Sequence, residues 1–596
     1  MQRPPPSDGA SMKRAWCPPY SGPSGLYVRP FLDTIKGCQS STPTFRLLDI
    51  KPTPAYIMLL IWAATTLGLI NHLLFHRYEP SSANIPLLLL AIEPIVLLLL
   101  IGGPFSSARL LWSYFVFMGS LSLSIIAYRL SPFHPLAQIP GPAIGKVTKL
   151  WSLWKAWLGY KYLYHKKLHD TYGPYVRTGP NEISVIDAVA VGQIFMKGGL
   201  DKGRYYETGR HRSTPPSIVS LVGEAHTAKR RVWNRGMTSA AIREYEPLVA
   251  KRASQLVSRL REHEIVDLVC WFDLFAFDLM GDLAFGGGFE MLRDGRDVDG
   301  VGERIRVFTR ASDIAGHIPW IVNTLHLFPQ VGRIIQEFNN FGRGLAIQRM
   351  EKTVVDRKDL WYHLTDEAGH EKEKPTLETV AADGIVAIVA ASDTTASTLS
   401  SLVWFLLSNP EYYRRVQQEL DTVITDGDDP FDVNRHQELQ FLSACINETL
   451  RLHPPVPSNG GSRQVHLNEC GRNIAGRFIP KGTSVYTPQY SLHRNPDYFS
   501  YPDQFLPDRW LPDSKFERHD TSAFIPFSLG PANCVGQKFA KRELFMVLSV
   551  LFKSFDLRFE DGFNSEAWPM GRRDYFVVTR GPLRVNLTPR YRNARV

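Results

Sequence analysis

Cysteine is scarce in this chain, with six residues in 596 and no C-x-x-C pair. That excludes a disulfide-dense secreted scaffold and a zinc-ribbon framework, and Cys17, Cys38, Cys270, Cys445, Cys470 and Cys534 read as reduced thiols. Neither charge nor hydrophobicity departs far enough from the ordinary to imply wholesale disorder: 21% of residues are charged and 44% hydrophobic. A net charge of +10 raises the question of nucleic acid, but zinc-finger spacings, a basic zipper and an aromatic RNA-binding signature are missing. No nucleic-acid partner is expected, and a membrane surface or an acidic protein accounts better for the positive charge. Low-complexity linkers and internal repeats are also missing from residue 143 onward, which favours one large unit over several small domains.

Long apolar runs come first among the features that are present. Residues 1–51 are rich in Pro, Ser and Gly and read as a poorly ordered tail. Apolar runs at 55–75, 85–101 and 110–128 follow, each close to the ~20 residues that span a bilayer. Residues 52–130 are therefore expected to form a hydrophobic membrane anchor of two or three spans. The first run begins too far from residue 1 for a cleavable signal peptide. Basic residues flank the group on both ends, Arg46 and Lys51 before it and Arg129, Lys146 and Lys149 after it, and three crossings cannot put both flanks on one side. The middle run carries Glu93 beside Pro94, so a re-entrant or interfacial middle segment would restore parity. Residues 131–142, ending in Pro140-Gly141-Pro142, form a stiff hinge. The remainder, 143–596, reads as one mostly α-helical domain with a minor β sheet, its strands near 175–177, 183–186 and 483–486.

The patterns that carry chemistry lie in this last unit. In Phe527-Ser-Leu-Gly530-Pro-Ala-Asn-Cys534-Val-Gly536 a glycine-rich turn runs into an apolar-periodic helix, so the cysteine sits at a helix N-terminus. Free N–H groups and the helix dipole there lower a thiol pKa, and a thiolate binds metal. Gly530 and Gly536 leave room for backbone or a flat macrocycle, and Phe527 can cover one side of the sulfur. Glu448 and Arg451 share a helix face that ends at Pro454-Pro455; alone, such a pair is an ordinary exposed contact. The run 377–408 is apolar on all faces at its centre and then carries Ser392, Asp393, Thr394 and Thr395, whose ordinary reading is back-bonding to helix carbonyls. His226 and Arg230 stand one helical turn apart in a basic segment.

In this order the patterns resemble the cytochrome P450 family over essentially all of 143–596. F-x-x-G-x-x-x-C-x-G is that family's heme-binding loop, and the resemblance implies that Cys534 is the axial ligand of the iron of heme b. Glu448 and Arg451, with Arg509 in Phe505-Leu-Pro-Asp-Arg-Trp, resemble its buried structural cluster beneath the heme. Ala390-Ala-Ser-Asp393-Thr394-Thr resembles the kinked oxygen-binding helix, with Ala391 in place of the usual glycine, and implies that Asp393 and Thr394 relay protons. His226, Arg230 and Arg463 resemble propionate contacts, which would compensate for Ala532, where the family usually has a basic residue.

The activity so implied is monooxygenation of a hydrophobic small molecule, in the manner of fungal members that serve secondary metabolism. With no flavin or iron-sulfur segment visible, electrons are expected from a separate NADPH-cytochrome P450 reductase, with cytochrome b5 as a further donor. Lys229, Arg231, Lys538, Lys541 and Arg542 offer it a basic docking face. The location implied is the endoplasmic reticulum membrane with the catalytic domain cytoplasmic. Pocket walls are expected from 205–219, 314–328, 387–391 and 455–459. Two other readings are a heme-thiolate isomerase or dehydratase that does not use O2, and a non-catalytic heme- or lipid-binding membrane protein.

Overall fold

The computed structural model describes residues 53–78, 83–102, 106–208, 214–325, 329–351 and 358–590. The tail expected at 1–51 lies outside these residues. The chain divides into two compact units, Met1–Ala127 and Tyr128–Val596.

In the first unit the three apolar runs are helices α1 (Pro54–Arg77), α2 (Asn84–Ile101) and α3 (Ser107–Leu130), each long and apolar enough to cross a bilayer. Their outer faces are greasy, with Trp62, Leu73 and Leu100 exposed. Their few polar side chains pair with each other: Asn71 donates to Glu93 at 2.5 Å, and His72 meets Ser124 at 2.7 Å. Helix α2 runs unbroken through Pro94, without the break a re-entrant turn needs. Its 18 residues measure about 27 Å at ~1.5 Å per residue, close to a hydrocarbon core of about 30 Å.

The second unit is predominantly helical. The segment 131–142 reaches the first strand, where Arg177 N–H donates to Pro140 O at 2.7 Å. A Cβ on Gly141 would come within 2.3 Å of Arg177 O, so only glycine permits that approach. Helix α4 (Lys161–Tyr172) leads into β1 (Tyr175–Gly179) and β2 (Glu182–Val185), then β3 (Asp201–Lys202), α5 (Gly223–Gly236), α6 (Leu268–Phe285), α7 (Val301–Gly316) and α8 (Pro329–Glu351). Next come α9 (Leu377–Ser408), α10 (Gln440–Leu452), β4 (Arg463–Gln464), β5 (Ser484–Tyr486), α11 (Gln537–Ser554) and the hairpin β6 (Arg573–Tyr575) and β7 (Val577–Thr579). The largest sheet has the order β1-β2-β5-β4-β3; β2 and β5 run parallel, and the other neighbours are antiparallel.

Helices α6 and α9 form the spine of the core, packed along each other. Gly384 of α9 makes this possible, because a Cβ there would meet the Phe285 ring at 2.5 Å. Although α9 is apolar enough to cross a membrane, most of it is buried inside the fold. Its N-cap Thr376 accepts the Thr379 N–H, and Asn409-Pro410 ends it.

The Glu448 group is not an exposed pair. Glu448, Arg451 and Arg509 are all buried. Arg451 binds the Glu448 carboxylate with both Nε (2.9 Å) and Nη2 (2.8 Å), and Arg509 Nε adds a third contact at 3.1 Å. Leu506 N–H and Trp510 Nε1 complete the carboxylate's partners at 2.9 Å each. Burial alone would raise the Glu448 pKa, but the Arg451 hydrogen bonds and the two positive charges outweigh it and hold the group below the usual carboxylate range. Remaining Arg451 protons go to the carbonyls of His493, Pro502 and Gln504, which fixes the chain leading towards the cysteine loop. Replacing Glu448 by Ala strands two buried guanidinium groups, and chemical denaturation is expected to show a loss of about 3–5 kcal/mol.

Candidate heme-thiolate site

The cysteine loop is built by its own backbone. Ser528 and Gly530 adopt left-handed conformations, with φ of 58° and 69°, and Cys534 N–H closes the turn on Phe527 O at 2.8 Å. Gly530 is required for a reason the sequence does not reveal. A Cβ there would lie 1.9 Å from Phe195 O, so the glycine serves a backbone contact and does not line the cavity. Gly536, by contrast, caps α11 and has open space where a Cβ would stand.

Above the loop lies a cavity of about 830 Å³, and Cys534, Phe527 and Gly536 line it. The cysteine sits deep in the fold, yet its side chain is open to this space. The sequence-based expectation of a lowered thiol pKa is overturned. Burial raises it, and the Gly536 N–H and the Arg230 charge offset only part of that rise. A helix N-terminus is not enough to hold a thiolate against an apolar wall; a directly bonded cation would be. Cys445, Cys470 and Cys534 are free thiols.

One end of the cavity is crowded with cations. His226, Arg230 and Arg463 line it, and so does Lys202, which the sequence reading missed. Strand pairing explains Lys202: β3 and β4 set it directly opposite Arg463. Like charges in that register repel each other. Burial first, and then the neighbouring positive charges, push Lys202 down to about 7 and His226 to about 4. Arg463 Nε is buried without a hydrogen-bond partner. A cation cluster with an orphaned donor fits the carboxylates of a heme. Arg230 is already engaged: it donates to Asn533 O at 2.6 Å and Asn533 Oδ1 at 2.7 Å, clamping the residue before the cysteine.

The opposite wall is α9, with Val386, Val389, Ala390, Ala391 and Thr394 open to the cavity. Thr394 Oγ1 donates to Ala390 O at 2.8 Å, the back-bonding that a helical threonine ordinarily makes, and α9 continues unbroken past Ala391. Asp393 is not brought together with Thr394 inside the cavity. Its carboxylate lies 4.0 Å from Arg306, outside the lining. Burial and then the Asp273 charge lift its pKa to about 6, against Arg306 and Arg580. A second acid does line the cavity: Glu543 of α11, buried, with Thr395 Oγ1 donating to it at 3.3 Å. Burial raises this carboxyl to about 8. Its mark in the sequence is a lone acid at core spacing within an apolar helix.

Of the expected walls, 205–219, 387–391 and 455–459 contribute. The described part of 314–328 does not; α7 and α8 supply Phe308, Thr309, Asp313 and Asn339 instead. The docking face is also thinner than expected, since Lys229 pairs with Asp383 (2.6 Å), Arg231 with Glu371 (2.7 Å) and Arg542 with Glu246 (2.7 Å).

The cytochrome P450 family model matches residues 145–585. A cytochrome P450 of Uromyces fabae is 30% identical over 544 residues, covering 88% of this chain and 98% of its own length. A cytochrome P450 monooxygenase of Eupenicillium brefeldianum is 33% identical over 500 residues, 82% of this chain and 98% of its own. Trichothecene C-15 hydroxylase of Fusarium sporotrichioides is 32% identical over 499 residues, 80% of this chain and 99% of its own. With a family match over most of its length and relatives that align nearly end to end, the chain belongs to the cytochrome P450 family and is a heme-dependent monooxygenase.

Proposed function

We propose that Cys534 is the axial thiolate of a heme b and that the protein hydroxylates a hydrophobic small molecule of fungal secondary metabolism. The observation that carries this reading is a single cavity with the Cys534 thiol, a cluster of under-compensated cations and an apolar helix face on its walls. Heme with a thiolate ligand supplies the activation of O2 in this family. His226, Arg463 and Lys202, whose ammonium also donates to Ile218 O and Leu221 O, would hold the carboxylates of the heme. Arg230 and Gly536 work on the protein side, fixing Asn533 and leaving the approach open. Phe527 shields the sulfur, and Gly530 seats the loop on Phe195. The named hydroxylases among the relatives support the reaction class.

Proton supply is divided between two acids. Thr394 presents its hydroxyl to the cavity; its oxygen is free to accept a hydrogen bond, and to pass a proton on, the hydroxyl turns its own hydrogen away from Ala390 O. Asp393, with a pKa of about 6, exchanges protons near neutrality. Because it faces away, its proton reaches Thr394 through rotation of the carboxyl side chain or through solvent. Glu543 keeps a proton at neutral pH and holds Thr395 beside the relay. Electrons come from a separate NADPH-cytochrome P450 reductase, with cytochrome b5 as an auxiliary donor, docking around Lys538 and Lys541. The N-terminal helices support placement on the endoplasmic reticulum membrane with the catalytic unit in the cytoplasm.

The reduced carbon monoxide spectrum tests the ligand directly: the wild type is expected to show a thiolate-type Soret band, and Cys534→Ser to lose it. Loss of the hydroxyl in Thr394→Ala should preserve that spectrum while diverting reducing equivalents to hydrogen peroxide, seen as NADPH consumed per product formed; unchanged coupling would remove Thr394 from the relay. For Glu543 the sign is fixed by its raised pKa. The folded state binds the proton that the unfolded chain releases above its ordinary carboxylate range, so stability from this group falls as pH rises towards about 8. Glu543→Gln should therefore gain on the wild type by about 1 kcal/mol per pH unit across that window, measured by denaturation at several pH values.

A further inference from the structure

A second group of buried basic side chains, outside the cavity lining, is short of hydrogen-bond acceptors. Arg572, in the turn before β6, is 2% exposed, and its Nε and Nη2 have no hydrogen-bond partner. Arg494 is buried too; its Nε pairs with Asp503 at 3.1 Å, but Asp503 is 71% exposed and Arg494 Nη1 is unpartnered. The third member is His453, at the C-terminal end of α10, buried with Nδ1 unpartnered. Trp404 brings two of them together, stacking on His453 at 5.6 Å and on Trp568, in the turn that leads into Arg572, at 5.7 Å; the charges of Arg572 and Arg494 reach His453 as well.

Aromatic side chains enclose them. Arg494 lies 3.8 Å from the centre of the Tyr490 ring, and Tyr162 of α4 meets Tyr490 edge-on at 4.8 Å. Asp574, the carboxylate next in sequence, is engaged elsewhere, accepting from Ser458 Oγ at 2.5 Å. Among the described residues no carboxylate forms an ion pair with Arg572.

A buried guanidinium without a counter-charge is strongly unfavourable. The orphaned arginine atoms are all donors, since guanidinium offers no acceptor. Water accepts about two hydrogen bonds and leaves the charge standing; a monatomic anion accepts from every donor and neutralises it. We infer that Arg572, Arg494 and His453 form a buried site for a small inorganic monoanion of the chloride class. Bound there, the anion ties the end of α10 and the turn carrying Arg494 to the β6 hairpin. That junction backs the cavity wall, because Val578 N–H donates to Pro455 O at 2.9 Å.

The test uses the full chain in detergent, with chloride exchanged against gluconate at constant ionic strength. The unfolding midpoint of the wild type should rise by roughly 1–2 °C for each tenfold increase in chloride above the dissociation constant. Arg572→Met and Arg494→Met should lose that response. Crystals grown in bromide should show an anomalous peak between the two guanidinium groups, which decides the matter even if Arg572→Met does not fold. Water density without an anomalous signal, or an equal chloride response in wild type and Arg494→Met, overturns the site. Neither readout depends on heme, so failure here is distinct from failure of the thiolate assignment.

Discussion

Desolvation of one sulfur governs this structure. Cys534 lies deep in the fold at the rim of an apolar cavity, and burial alone favours its neutral form. The Gly536 N–H and Arg230 favour the anion, but not enough. A thiolate at this position needs a cation bonded to it. The surrounding architecture presents the sulfur to that cation and holds it still. Glu448, Arg451 and Arg509 lock the preceding chain, Arg230 clamps Asn533, and Gly530 seats the turn on Phe195.

Around that sulfur the cavity is electrostatically lopsided. Lys202, His226, Arg230 and Arg463 crowd one end, where burial and then the neighbouring charges lower the basicity of Lys202 and His226, whereas Glu543 on the wall holds on to its proton. Both departures have the same origin, a charge taken out of water without its partner. At the cationic end, a dianionic ligand reverses the penalty. On α11 the penalty keeps Glu543 protonated at neutral pH, and on α9 it lifts Asp393 only to about 6. The family's usual basic residue in the cysteine loop is replaced by Ala532, and a strand-borne lysine supplies charge from the other side.

The membrane helices obey the same rule in a different solvent. Their lipid-suited faces carry large apolar side chains, while Asn71 Nδ2 donates to Glu93 and His72 pairs with Ser124. Arg463 Nε at the cavity and Arg572 behind its wall are among the buried polar atoms without a hydrogen-bond partner.

Much was legible in the sequence, because local rules fix it. Apolar run length gave the anchor helices to within three residues, period and caps gave α9 and the end of α10, and the order of four motifs identified the family. The Glu448 cluster was legible only through its motifs, since an i,i+3 pair carries no sign of burial. Other features were decided by tertiary structure. Lys202 meets Arg463 through strand pairing across more than two hundred residues, and Gly530 answers to a carbonyl at Phe195. Periodicity places Asp393 beside Thr394 in the chain, yet one residue of helix turns a side chain by about 100°, which points Asp393 at Arg306 and Thr394 at the cavity. The sequence determined which groups are present and which helices carry them. Only the folded chain decided their protonation, because that depends on what surrounds each charge once water has gone.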